Sequence, residues 1–184
     1  ADARVSWGDG SKEFRDSSNT MMFTFAMALV IVFLALAAQF ESIVHPFIIM
    51  LSVPLALTGG MAALWHQDLT LNIYSQIGLV MLIGLTAKNA ILIVEFANQL
   101  RDQGEDILTA VTEASVNRLR PILMTSIATS FGALPLALGT GAGAEARRAL
   151  GVVIVGGVSF STALSLLIVP VLYFIFARFA KPSG

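Results

Sequence analysis

Lys88 stands near the middle of an apolar run, Gly84-Leu85-Thr86-Ala87-Lys88-Asn89-Ala90-Ile91-Leu92-Ile93-Val94-Glu95-Phe96, which lies inside a stretch long enough to cross a bilayer. A charged side chain at the bilayer centre costs about 2.5–3.5 kcal/mol on insertion scales, so it is kept where it faces protein and has a partner. No acidic residue lies within one turn of Lys88. Glu95 shares its face but sits two turns away, about 10 Å along the axis. The partner must therefore come from another helix, which makes a bundle of membrane helices the fold to expect.

Composition agrees. Of the 184 residues, 56% are hydrophobic and 12% charged, where soluble domains carry about 25% charged residues. The net charge is -1 and no Lys/Arg cluster occurs, so nucleic acid is excluded as a partner. Cys is absent, which removes disulfides, thiolate metal sites and a thiol nucleophile. His45 and His66 sit at span edges, isolated from any second ligand, so no metal is expected. No Gly-x-Ser-x-Gly elbow appears. Nothing supports an enzyme, and no cofactor is implied.

In order along the chain, residues 1–18 are polar and read as the end of an extramembrane region, and the first residues look like a cut end rather than a signal peptide. A membrane region over 19–178 follows, with spans at about 20–38, 47–64, 73–100, 121–138 and 149–176. Pro46 suits the first turn of the second span. Between the third and fourth spans, Ile107, Leu108, Val111, Ala114 and Leu119 recur at helical spacing, which predicts a surface amphipathic helix over about 102–119. Pro121 then starts the fourth span, whose Thr125, Ser126, Thr129 and Ser130 form a polar stripe that must face protein. In the fifth span, Gly157, Ser161 and Ser165 make a small-residue seam for close helix approach.

Five spans put the termini on opposite sides. Lys and Arg divide evenly between the two sides; discounting those before the first span favours a cytoplasmic C-terminus, with 179–184 as its tail.

Among the polar residues, Lys88 can act as a switchable cation opposite a carboxylate: ionised, the carboxylate pairs with it; protonated, it releases it and the helices repack. The competing reading is a lysine that only ties helices together. Arg118 and Thr125 are seven residues apart and share one face, with the hydroxyl able to pass a proton. Helix–helix adhesion for Thr125 and lipid headgroup contact for Arg118 are the alternatives.

The Lys88 stretch, together with Arg118-Leu119-Arg120-Pro121-Ile122-Leu123-Met124-Thr125-Ser126 and Gly139-Thr140-Gly141-Ala142-Gly143, closely resembles the resistance-nodulation-division (RND) transporters, in their hydrophobe/amphiphile multidrug efflux branch. The resemblance runs over nearly the whole chain. It implies the last five of twelve transmembrane helices, preceded by the end of a periplasmic porter domain. It also implies that Lys88, Arg118 and Thr125, with Asn89 beside the lysine, belong to a proton relay completed by two adjacent aspartates on a helix of the first half. No Asp-Asp pair occurs in this sequence. The chain is thus expected to be a fragment carrying the cationic side of the relay. The parent would be a trimeric proton/substrate antiporter of the bacterial inner membrane, exporting amphiphilic small molecules with a periplasmic adaptor and an outer-membrane channel. A membrane scaffold, or an export auxiliary of the same superfamily, remains the alternative.

Overall fold

The computed structural model describes residues 6–40 and 43–177, with side chains from residue 18 onward. The 179–184 tail lies outside the described residues. Among the described residues the elements are five helices, α1 (Ser6–Phe40), α2 (Val44–His66), α3 (Ile73–Asp102), α4 (Ile107–Ala137) and α5 (Ala144–Phe176). The fold is all-α. Four of these contain segments long and apolar enough to cross a membrane: 18–40 of α1, and α2, α3 and α5. Although α4 is as long as its neighbours, its hydroxyl stripe and its two prolines, Pro121 and Pro135, make it less apolar.

Two boundaries depart from the sequence expectation. The polar lead-in is helical from Ser6, continuous with the first span, because no proline interrupts 6–40. The expected surface helix and fourth span are likewise one helix, since α4 runs through Pro121. Tertiary packing overrides the break. Ala110, Val111 and Ala114 on one side of the proline and Ile122 and Ser126 on the other are all buried, so both halves are held by the same bundle. Val111 and Ala114 belong to a core cluster with Ile93, Val94 and Tyr173, and Ile107 packs against it. Their helical periodicity therefore reports burial in the bundle, while Leu108 and Leu119 face outward.

Local chemistry explains where α2 and α3 begin. Pro46 lies in the first turn of α2, where its missing N–H has no intrahelical acceptor to lose. Asn72 caps α3: the Ser75 N–H donates to Asn72 Oδ1 at 2.9 Å, and the Asn72 N–H donates to Ser75 Oγ at 2.9 Å. This reciprocal pair satisfies two otherwise unpaired donors.

α5 is the centre of the bundle, packed against α2, α3 and α4, while α1 lies at the edge against α2 and α3. Lipid tails are as apolar as these side chains, so close packing and interhelical hydrogen bonds hold the helices together. The α3–α5 register is regular and parallel. Gly78 faces Val153, Leu82 faces Gly157, and Asn98 meets Tyr173, with the same numerical offset each time. The rows of four carry Thr86 opposite Ser161 and Ala90 opposite Ser165, all buried. Gly157, Ser161 and Ser165 thus form the close-approach seam that their spacing predicts, with α3 as the helix that uses it. α2 and α4 run antiparallel to α5. Gly59 meets Phe160 and Gly156 meets Ala63 on one side; Gly151 meets the backbone of Ala137 and Ser126 meets Thr162 on the other.

Candidate functional site

The candidate site is on the α3–α4 side of the bundle. The two helices are joined by the short turn after Asp102, and their register is marked by Arg118, whose guanidinium carbon lies 4.8 Å from the centroid of the Phe96 ring. Eight residues back along α3 from Phe96 is Lys88. Seven or eight forward along α4 from Arg118 are Thr125 and Ser126. At 1.5 Å per residue Lys88 is roughly 12 Å along α3 from Phe96 and Thr125 roughly 11 Å along α4 from Arg118, and both lie close to the middle of their helices.

Their surroundings differ. Lys88 is exposed on the face of α3 that carries Met81, Gly84 and Glu95, all likewise exposed. No hydrogen bond or ion pair ties Lys88 to another described residue. Asn89 is turned about 100° around the helix from it and is buried at 6% exposure. Thr125 is exposed, donating to the Ile122 carbonyl at 3.1 Å, while its own carbonyl accepts from Thr129 Oγ1 at 2.8 Å. Arg118 is half-buried, and its Nε is buried without a hydrogen-bond partner. Stacking on Phe96 shelters the guanidinium from the apolar phase and adds about 0.5–2 kcal/mol of cation–π attraction.

The polar stripe of α4 therefore divides. Ser126 faces protein, sharing a hydrogen bond with Thr162 on α5 at 2.7 Å, as expected; Thr125 lies on the open side. Lys88 and Thr125 each lie near the middle of their own helix without a hydrogen bond between them, and Arg118 stands two turns from Thr125 along α4. Phe96 is a contributor that the sequence reading did not single out. Its contact with Arg118 depends on the pairing of α3 with α4, which no local pattern encodes.

Chemically, an ammonium with three donors and a hydroxyl able to donate or accept stand near mid-helix, each on an exposed side of its own helix. Each is open to a carboxylate approaching from outside the described bundle. Among the described residues no carboxylate pairs with either.

Comparison with known proteins gives this site its context. Residues 1–177 match the AcrB/AcrD/AcrF family. The chain is 45% identical over 181 residues to the multidrug resistance protein MdtF of Escherichia coli (strain K12), covering 96% of this chain and 18% of that protein. It is 42% identical over 168 residues to the toluene efflux pump membrane transporter TtgB of Pseudomonas putida, covering 91% and 16%. It is 36% identical over 169 residues to the cobalt-zinc-cadmium resistance protein CzcA of Cupriavidus metallidurans, covering 92% and 16%. The chain thus spans less than a fifth of the length of the relatives it matches. With a family match extending over both the Lys88 helix and the Thr125 helix, the chain belongs to the AcrB/AcrD/AcrF family of resistance-nodulation-division efflux transporters.

Proposed function

We propose that this chain supplies the cationic side of the proton relay of a proton-driven exporter of amphiphilic compounds. The observation that supports the reading is Lys88, an exposed charge near the middle of α3, with the Thr125 hydroxyl likewise exposed near the middle of α4. In a membrane such a charge needs a protein partner. A carboxylate from another part of the transporter is the partner of matching chemistry. Ionised, it holds Lys88; protonated, it lets go, and α3 and α4 are free to repack against the element that carries it. Thr125 hands the proton on, Arg118 keeps the relay's mouth cationic, and Asn89 anchors the lysine's helix in the bundle.

The substrate class follows the relatives of higher identity, which are named for multidrug resistance and toluene efflux; the relative named for cobalt, zinc and cadmium is more distant. The whole transporter is read as a trimer of the bacterial inner membrane, working with a periplasmic adaptor and an outer-membrane channel.

In the full-length transporter, Lys88→Ala is expected to abolish export with normal membrane insertion, because removing the charge eases insertion while deleting the relay's cation. Lys88→Arg is also expected to fail or be severely impaired, since a planar fork does not replace a compact ammonium. The check is dye efflux from energised cells at matched protein level. Wild-type efflux by Lys88→Ala would end the relay reading; wild-type efflux by Lys88→Arg alone would reduce the requirement to positive charge.

A further inference from the structure

A second polar group is buried where the start of α2 meets the ends of α1, α3 and α5, more than two helical turns from Lys88. His45 is 4% exposed. Its ring is stacked on Tyr173 at a centroid distance of 6.0 Å and an angle of 26°, and is tilted against Phe40 at 5.7 Å. Tyr173 is fully buried and donates its hydroxyl to Asn98 Oδ1. Four helices therefore converge on one imidazole.

The imidazole itself is unanchored. Both Nδ1 and Nε2 are buried without a hydrogen-bond partner. Asn98 is the polar neighbour within reach of the ring, but its Oδ1 is already engaged by Tyr173. The charged group acting on His45 is Arg101 of α3, and Asp102 acts on Tyr173 from beyond it. α1 contributes Phe40 to the contact, and α5 contributes Tyr173.

A neutral imidazole carries one N–H and one acceptor nitrogen; an imidazolium carries two N–H donors and a charge. Burying the neutral ring without hydrogen bonds is costly, yet stacking between two aromatic rings offsets part of that cost. The charged ring has no such compensation here. It would need acceptors for two donors, where Asn98 Oδ1, already accepting from Tyr173, has one lone pair left, and the charge acting on it is the Arg101 cation.

We propose that His45 is a proton-operated latch between α2 and α5, closed when the ring is neutral and stacked on Tyr173 and released when the ring gains a proton. Release frees the α2 end from the α5 end and uncovers the Tyr173–Asn98 pair. The latch stands independently of the relay role of Lys88, because it uses none of the same side chains.

The test uses two spin labels in the full-length protein in nanodiscs, introduced by Ile43→Cys and Ile175→Cys at exposed positions flanking the latch. The interlabel distance is measured by pulsed electron resonance from about pH 8 to about pH 4, which covers the range in which an ordinary histidine changes charge and extends below it because the closed site disfavours the charged ring. The expected result is a distribution that shifts to longer distances as the pH falls, and that stays at its short, high-pH value when His45→Phe is added. Phenylalanine keeps the stacking and cannot titrate. A distance that does not move with pH in the His45 protein overturns the latch. So does the same pH response in the His45→Phe variant, which would assign the motion to another group.

Discussion

At the scale of single residues, hydroxyls show how a membrane interior distributes polar groups. Thr24, Thr58, Thr112, Ser115 and Thr129 each donate to the carbonyl four residues back on their own helix. Ser126 and Thr162 instead satisfy each other across α4 and α5 at 2.7 Å. The rotation of α4 that brings Ser126 to Thr162 leaves Thr125, its neighbour in sequence, on the exposed side. Interhelical hydrogen bonds in membranes couple by about 0.6 kcal/mol on average, with a maximum near 1.7. A double-mutant cycle of Ser126→Ala and Thr162→Val, read by reversible unfolding in mixed micelles, should therefore give a coupling of about 0.6 kcal/mol. A coupling indistinguishable from zero would mean that each hydroxyl does equally well on its own helix.

At the scale of the element, the glycines of α5 are not equivalent. A Cβ on Gly151 would run into the backbone of α4, lying 2.7 Å from the Leu136 carbonyl carbon, whereas one on Gly157 would meet the Leu82 side chain. Backbone cannot rotate away; a leucine tip can. Alanine also gains about 1 kcal/mol over glycine in helix propensity. Gly157→Ala is accordingly expected to destabilise less than Gly151→Ala, although the fully buried Leu82 must shift to admit it, and Gly151→Ala to destabilise by roughly 1–3 kcal/mol, the usual range for overpacking. Gly157→Leu exceeds what Leu82 can yield and should also destabilise the bundle. Thermal unfolding in detergent ranks the three. If Gly151→Ala were as stable as the parent, α4 would have to sit farther from α5 than its contacts here require.

For the molecule as a whole, the exposed Lys88 and Thr125 and the short coverage of the relatives point the same way. The matched relatives are more than five times longer than the segment they share with this chain, so most of each lies outside the comparison. The relay reading assigns the missing carboxylate to that remainder. Purified alone and reconstituted in liposomes under an imposed pH gradient, the 184-residue chain should move no dye. Gradient-dependent export by this chain alone would show that Glu95, or a carboxylate of a second copy, can partner Lys88.

The apolar runs of α1, α2, α3 and α5, the place of Pro46 in a first turn and the seam at Gly157, Ser161 and Ser165 were all legible in the sequence. Each depends on chemistry within one turn or on the periodicity of one helix. That no carboxylate lies within a turn of Lys88 was legible for the same reason. Periodicity defines faces relative to a helix's own axis; it does not say which face meets which neighbour. Hence the sequence could group Thr125 with Ser126 but not separate them, and it read Pro121 as a boundary although packing on both sides carries α4 through it. His45 and Tyr173 belong to opposite ends of the sequence. Only the antiparallel pairing of α2 with α5, and the parallel register that brings Asn98 to Tyr173, turns an isolated histidine at a span edge into the centre of a buried joint.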